Sequence, residues 1–599
     1  MKKILCTTLL LILFPLNVYA ISEQEQQDAI NNQNILIQRD QQNFQEKIKE
    51  KDLQQVEKDQ KEAEEQEEDY EELKEQEGKV IQDLRVLQCF RIKKIIFSEN
   101  EIIEKIYEEN FSKEYLGKCV SIRQISKLSK KVSDHLVDEG YVTSRAEIPA
   151  QSLAEGVLKI NVIESYLENI AFNDENFFDR AQKFTAFGFV KKNKILNLKK
   201  IEQGLDQVNR LQSNNATIKI LPGKSDRTSI IAVENNPSKR LRLNASYNNN
   251  GNEITGARRE TIGLTQDNLF WLNDNFTLSR TANDLDQTRK KNGGTNAISS
   301  SFSVPFKWYN LTLSYSKSSY FFWGGEVSRF KSSGDTATKT ANLDRILLKN
   351  KKAKLSSNLT LTSRYSQNFV DDTKVQVSSR KASIASLGLS NTFFLNNSTL
   401  FLKPSYSKAL NILDAQKDNP NLAGNDAHAE FDMFEFYGNY VKKSQIFDTP
   451  ISYNFSFDGQ SSKQTLYGID KFSIGGISSI RGFKEGTISG DSGYNFRNEV
   501  SVNFGQMILP YLSAEKSQSL TQLNRFSISP FYDYGQVRAK NGQTSGRLSG
   551  GGFKIGFNHK NFNAALTFSR ALSKSKFLGQ HYSDNNAIFF NISSELGFF

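Results

Sequence analysis

From Lys239 to Phe599 the chain alternates apolar residues with Asn, Ser, Thr or Lys over stretches of about eight to twelve residues, and helical spacing is largely gone. In "PISYNFSF" the apolar phase is Ile451, Tyr453, Phe455 and Phe457; in "NFNAALTF" it is Phe562, Ala564, Leu566 and Phe568; in the last stretch it is Ile588, Phe590, Ile592, Leu596 and Phe598. Polar stretches such as "DAQKDNPNLAGNDAHAE" separate these segments. Two-faced strands of this kind predict a transmembrane antiparallel β-barrel over residues 238–599, with one face to lipid and the other to a wet lumen. A soluble β-sandwich also alternates, but one of this length is much less common. At about 22 residues per strand and connection, such a segment supplies on the order of sixteen strands.

Residues 89–237 read differently. "CFRIKKIIF" alternates, "NEIIEKIYEEN" and "SIRQISKLSKKVSDHLVDEGY" space apolar residues three and four apart, and "VTSRAEIPAQ" and "GVLKINVIE" return to alternation, giving β-α-α-β-β over 89–165. A second unit of like order follows over 166–237, with "YLENIAFN", a helical "ILNLKKIEQGLDQVNRLQSN", "ATIKILPG" and "TSIIAVEN". Each is long enough for a small sheet covered by two helices. Residues 21–88 are dominated by Gln, Glu, Lys and Asp, with nine basic and twenty acidic side chains. Their apolar residues are too irregular for a heptad seam, so a solvated helix in the first half and a charged tether after it are expected.

The first twenty residues place Lys2 and Lys3 before an apolar run and end with Val18 and Ala20 at the −3 and −1 positions of a cleavage site, which is how a secretory signal peptide reads. Its removal takes Cys6 and leaves Cys89 and Cys119. An even pair in an exported chain reads as a disulfide, two free buried thiols being the alternative. The loop it closes is worth on the order of 3 to 4 kcal/mol in the chain-entropy model. Beyond the signal no apolar run approaches a transmembrane helix and mean hydropathy is −0.53, so any membrane span must be a barrel. The 11% of aromatic residues suits interfacial girdles.

The net charge of +10, set against the acidic 21–88 segment, makes the remainder strongly basic. Nucleic acid is not the expected partner of an exported chain whose Lys and Arg are scattered among Asn and Ser; lipopolysaccharide phosphates or solvated loops suit them better. The run Gly490-Asp491-Ser492-Gly493 suggests a serine nucleophile. That chemistry needs a histidine base held by a carboxylate, and His135, His428, His559 and His581 carry no supporting motif. The same residues offer no credible metal site, and neither a metal nor an organic cofactor nor catalysis is expected.

A different motif surrounds that run. "SIGGISSIRGFKEG" followed by "ISGDSGYNFRNEV" resembles the loop signature of the translocases that couple POTRA domains to a barrel, in which an Arg-Gly-aromatic triplet tips a hairpin folded back into the lumen. Here the loop is about residues 474–495 and the motif is Ile480, Arg481, Gly482 and Phe483. "PFYDYGQV" resembles the wall segment whose aspartate receives that arginine, which implies Asp533 with Gly535 two residues on. Over almost all of the exported chain the resemblance is to the two-partner secretion transporters, the haemolysin secretion and activation proteins (TpsB). "CF.IKKIIF" with Cys119 looks like the first POTRA domain with its disulfide, and the second includes Pro222-Gly223 after its middle strand.

The resemblance implies an outer-membrane pore that passes one large unfolded partner (a TpsA-like exoprotein) to the cell surface without ATP and, in some cases, activates it. The POTRA domains would meet the partner in the periplasm, and barrel assembly machinery would insert the protein. A helix from about residues 22–45 and the Arg481 loop are the expected occluders of the pore. An outer-membrane protein assembly factor of the same architecture is the first rival; a passive porin, which has no need of the two βααββ units, is the second.

Overall fold

The computed structural model describes residues 46–47, 49–61, 89–98, 101–103, 105–283, 293–325, 329–423, 426–446, 449–484, 487–508, 521–540, 545–573, 575–577, 580–582 and 586–598. The expected signal peptide, residues 22–45 and Phe599 lie outside them.

Alternation becomes a closed wall. Among the described residues sixteen long antiparallel strands, from Leu241–Asn248 to Asn586–Phe598, form a barrel. The first and last strands close it in a register running from Asn591 opposite Asn248 to Phe598 opposite Leu241. The two faces sort as a membrane wall requires. Leu311, Leu313 and Tyr315 are exposed on the outside of the Tyr309–Gly324 strand, as are Ile588, Ile592, Leu596 and Phe598 on the last. Inward positions are polar and joined across strands by hydroxyl pairs, including Thr277 with Ser301 (2.7 Å), Ser386 with Ser407 (2.7 Å) and Ser501 with Ser529 (2.8 Å). Such pairs satisfy groups that would otherwise be left unbonded inside the wall.

Two small α/β units precede the barrel. In the first, strands Lys94–Ser98, Val157–Ile163 and Arg145–Glu147 form a sheet in which the first pair is parallel and the second antiparallel. The helix Ile122–Asp138 covers it, burying Ile125, Leu128, Val132 and Leu136 at helical spacing and starting on a capping box between Ser121 and Gln124. A shorter helix, Lys105–Lys113, precedes it. The second unit repeats the arrangement with strands Tyr166–Phe172, Thr228–Asn235 and Ala216–Pro222 and helices Phe177–Phe187 and Leu198–Asn209.

The structure departs from the sequence reading in two places. "CFRIKKIIF" is not one strand: Cys89–Arg91 pairs with Cys119–Ser121 in a separate two-stranded sheet, and only Lys94–Ser98 joins the main sheet. The disulfide between Cys89 and Cys119, with Cα atoms 5.3 Å apart, pins the first segment away while Ile92 at the break is fully buried. The helix Phe177–Phe187 in the second unit was not distinguished in the sequence, because much of its apolar surface faces outward.

Candidate functional site

Among the described residues, two pieces of chain lie in the lumen. One is the hairpin between the Thr449–Ser462 and Ser492–Asn503 strands of the wall. Its arms, Phe472–Ile474 and Ile488–Gly490, pair with each other inside the barrel. Gly475 and Gly476 turn the backbone at φ of 119° and 86°, and the Ser479 hydroxyl accepts a hydrogen bond from the Gly475 amide at 2.8 Å. Ile474, Ile480, Phe483 and Ile488 pack in one fully buried cluster with Val537 and Leu548 of the wall. At about 1.5 to 3 kcal/mol per buried large side chain, this cluster is ample to seat the loop.

Arg481 sits beside that cluster. Its Nε and Nη2 donate to the two oxygens of Asp533 at 2.7 and 2.8 Å, its backbone amide donates to the same carboxylate at 3.0 Å, and Nη1 donates to Glu499 at 2.7 Å. The guanidinium also lies 3.5 Å from the centre of the Phe531 ring. Asp533 is fully buried, and Glu499 is shared with Lys554. A buried arginine is tolerable only when its planar donors are met in this way. Phe531, Asp533, Gly535 and Val537 alternate onto the lumenal face of the Phe526–Arg538 strand. At Gly535 a Cβ would lie 3.2 Å from Ile474 Cγ2, so the wall is pared back where the loop rests. Gly482 has φ of 114°, and a Cβ there would meet the Arg570 backbone at 2.7 Å.

Asp491 and Ser492 hold the base of the hairpin. Asp491 is fully buried and accepts from the amides of Leu466 (2.7 Å) and Lys540 (2.8 Å). Ser492 Oγ accepts from the Ser462 amide and donates to its carbonyl. His428 is engaged with Asp418 instead.

The second occupant is a helix over residues 46–47 and 49–61. Asp52 pairs with Lys403 (2.6 Å), Asp59 with Lys354 (2.8 Å) and Lys49 with Asp458, while Gln60 accepts from Thr399. Val56 packs on Phe401 and Tyr437. Asp52, Val56 and Asp59 fall on one helical face, a spacing present in the sequence but lost within its charged surroundings. Glu499 carries only a weak signal in the sequence, an acidic residue in phase with Asn495 and Arg497 just after the loop.

In the POTRA units, Cys89 and Cys119 are bonded as described. Pro222 ends the strand Ala216–Pro222 at the edge of the second unit's sheet, and a Cβ on Gly223 would lie 2.0 Å from Thr228 Oγ1 and 2.5 Å from Glu168 Oε2. Glu168 accepts there from Thr228 (2.8 Å) and the Lys224 amide (2.7 Å), bonds that hold its carboxyl below the usual carboxylate range.

A wall of this kind, entered through two POTRA units and filled by its own chain, belongs to the class of outer-membrane POTRA–barrel transporters, with the POTRA units on the periplasmic side. Residues 227–557 match the family described as Haemolysin secretion/activation protein ShlB/FhaC/HecB, residues 90–165 a ShlB-type POTRA domain and residues 166–222 a POTRA domain. The chain belongs to that family of two-partner secretion transporters. It is 30% identical over 423 residues to the outer membrane transporter CdiB of Dickeya dadantii (strain 3937), covering 70% of this chain and 73% of that protein. Over 474 residues it is 27% identical to the hemolysin transporter protein HpmB of Proteus mirabilis, covering 78% and 79%. The solved structure of CdiB from Escherichia coli shares the fold with a TM-score of 0.75 at 23% identity, over 86% of this chain and 93% of that one.

Proposed function

We propose that this protein exports one large, unfolded partner polypeptide from the periplasm to the cell surface, and that the helix of residues 46–61 and the Arg481 loop together close its resting lumen. The observation that carries this reading is the way the helix is held. Among the described residues it is held by ion pairs to Lys354, Lys403 and Asp458 and by the packing of Val56 on Phe401 and Tyr437. The partly exposed Lys403 and Asp458 pairs are worth about 0 to 1 kcal/mol each, and the buried Lys354–Asp59 pair anchors the end of the helix, so the stopper is seated by a few polar contacts that a rival partner can replace. A passive porin would gain nothing from a stopper of this kind.

The POTRA sheets have edge strands, Lys94–Ser98 and Arg145–Glu147 in the first and Tyr166–Phe172 and Ala216–Pro222 in the second. An extended partner can add a strand at such an edge through main-chain hydrogen bonds that tolerate many sequences. Folding of the partner outside, rather than ATP, would make passage irreversible. Arg481, Gly482 and Phe483 act as the docked tip of the loop, and Asp533, Gly535 and Glu499 as its seat. Insertion by barrel assembly machinery and contact of the scattered Lys and Arg side chains with lipopolysaccharide phosphates complete the set of partners; the protein itself carries out no bond-making chemistry on its cargo.

The test is a comparison of cells with and without this protein, with the medium and the periplasm read by mass spectrometry. Loss of one large polypeptide from the medium, with other outer-membrane proteins intact, is the expected result. A general fall in outer-membrane barrels would mean an assembly factor, and loss of small-solute uptake alone a porin.

A further inference from the structure

The helix Phe177–Phe187 of the second POTRA unit carries large apolar side chains on the side turned away from its own core. Phe177 is 79% exposed and Phe184, two turns on, is 60% exposed, whereas Gln182, Thr185, Ala186 and Phe187 are buried. An exposed pair of phenylalanines on one row of a helix is costly in water unless something apolar covers it.

The barrel fixes where this face points. Ser301 and Ser303 of the Gly293–Phe306 strand face the lumen, where they meet Lys51 of the lumenal helix and Arg210. Phe302 and Phe306 therefore lie in the opposite, lipid-facing phase. Phe270, in the turn between the Arg259–Asp267 and Asn275–Ala282 strands, packs on Phe302 with ring centres 5.8 Å apart. Phe178 of the helix stacks on the neighbouring Trp271 at 4.3 Å, and Phe184 approaches Phe306 at 5.8 Å. The aromatic face of the helix thus continues the outer, apolar rim of the barrel.

Hydrogen bonds make that continuity rigid. Asn273 Nδ2 donates to the Gln182 carbonyl and to Thr185 Oγ1, both at 2.9 Å, and the Lys307 amide donates to the Thr185 carbonyl at 3.1 Å. Beyond the helix Lys191, Lys192 and Lys194 are exposed. Aromatic rings at the level of the headgroups, with basic side chains reaching phosphates beside them, are the composition of an interfacial element.

We infer that the helix Phe177–Phe187 is a membrane-docking surface, seated in the periplasmic leaflet of the outer membrane against phospholipid headgroups and the start of their acyl chains. POTRA 2 is then held by the lipid as well as by the barrel turns, and its orientation depends on the bilayer around it. The exported polypeptide is the less suitable occupant, because the rings point outside the wall.

The experiment uses the protein with Phe177→Cys and Cys6→Ser, labelled with a polarity-sensitive fluorophore; Cys89 and Cys119 are paired in the disulfide. It is reconstituted in vesicles of phosphatidylethanolamine and phosphatidylglycerol, with Glu155→Cys in POTRA 1 as the exposed control and a heat-dependent gel shift confirming the folded barrel. The expected result is a blue-shifted emission and quenching by nitroxide lipids placed about 5–10 Å below the headgroup, severalfold stronger than for the control. Emission and quenching equal to the control would overturn the proposal. So would a photo-crosslinker at position 177 in living cells that yields a protein adduct and no lipid adduct, since that result assigns the face to a polypeptide.

Discussion

Arg481 and Asp533, separated by 52 positions in the chain, meet through two parallel hydrogen bonds of 2.7 and 2.8 Å that fix a loop against the wall it crosses. The fork geometry specifies orientation as well as attraction, because both carboxylate oxygens are used. Replacing Arg481 with Ala removes both bonds of the fork from the buried Asp533 and leaves it only the residue-481 amide and the more distant Arg497 at 3.9 Å, a change of up to about 3–5 kcal/mol. The barrel itself, held by its strand ladders, is expected to insert and keep its heat-dependent gel shift, while secretion of the partner falls sharply. Arg481→Lys, which keeps the charge and loses the fork, should recover only part of it. Normal secretion by Arg481→Ala would remove the loop from the mechanism.

Gly550 supplies a second, independent check of the docked loop. A Cβ there would stand 1.6 Å from the Arg481 carbonyl oxygen, an impossible approach, so Gly550→Ala must displace the loop without removing any of its charges. Overpacking of this kind costs about 1–3 kcal/mol. Limited proteolysis of intact cells should cut the loop of Gly550→Ala and Arg481→Ala faster than that of the parent; equal protection would place the loop's stability elsewhere.

Reversing Lys354 and Lys403 to Glu turns two attractions on the lumenal helix into repulsions against Asp59 and Asp52. Loss of the partly exposed Lys403–Asp52 pair at up to about 1 kcal/mol, together with the larger cost of leaving the buried Asp59 unpaired, raises the unplugged population by at least on the order of tenfold. Single-channel recordings in planar bilayers should show more frequent open events. Restoring complementarity with Asp52→Lys and Asp59→Lys should return the channel towards its closed behaviour, a rescue that general damage to the barrel would not give.

Replacement of Cys89 and Cys119 by Ser releases the first segment of POTRA 1 at a cost on the order of 3 kcal/mol. For a unit of this size that lowers its unfolding midpoint by about 10 °C or more, read by calorimetry as a shift of the POTRA transition with the barrel transition unmoved.

Glu168 gives a pH dependence of defined sign. Its carboxyl is held below the usual range by Thr228 and the Lys224 amide. The stabilisation is therefore complete above the unfolded carboxylate value of about 4.3 and is lost as pH falls through the lower, folded value. The melting difference between the parent and Glu168→Gln should be present at neutral pH and vanish in acid. A difference independent of pH would mean that the ionised carboxylate is not what stabilises the turn.

The barrel was legible because lipid imposes a rule on every strand, so Leu311, Leu313 and Tyr315 announce a wall without reference to any other element. Helix Ile122–Asp138 was legible for a similar reason, its buried side chains recurring at three and four. The Phe177–Phe187 helix was not, since Phe177, Phe178 and Phe184 obey the barrel rim rather than the core beneath them. Nor was the lumenal helix over 46–61, whose contacts with Lys354, Lys403 and Asp458 join positions some 300 to 400 residues apart and leave only Asp52, Val56 and Asp59 as a local trace. Arg481 could be matched to Asp533 through motif resemblance, whereas Glu499 needed the strand register to bring it beside the same guanidinium.

The two lumenal segments are attached to the wall differently. The Arg481 hairpin runs into barrel strands at both ends, whereas 27 residues of sequence separate residue 61 of the lumenal helix from Cys89 of POTRA 1. That length of chain spans at most about 95 Å when fully extended. A helix displaced from the lumen thus stays at an effective concentration set by its tether, of millimolar order for a flexible one. Reclosure is then a first-order event, as fast in a sparse membrane as in a crowded one, and needs no second copy of the protein.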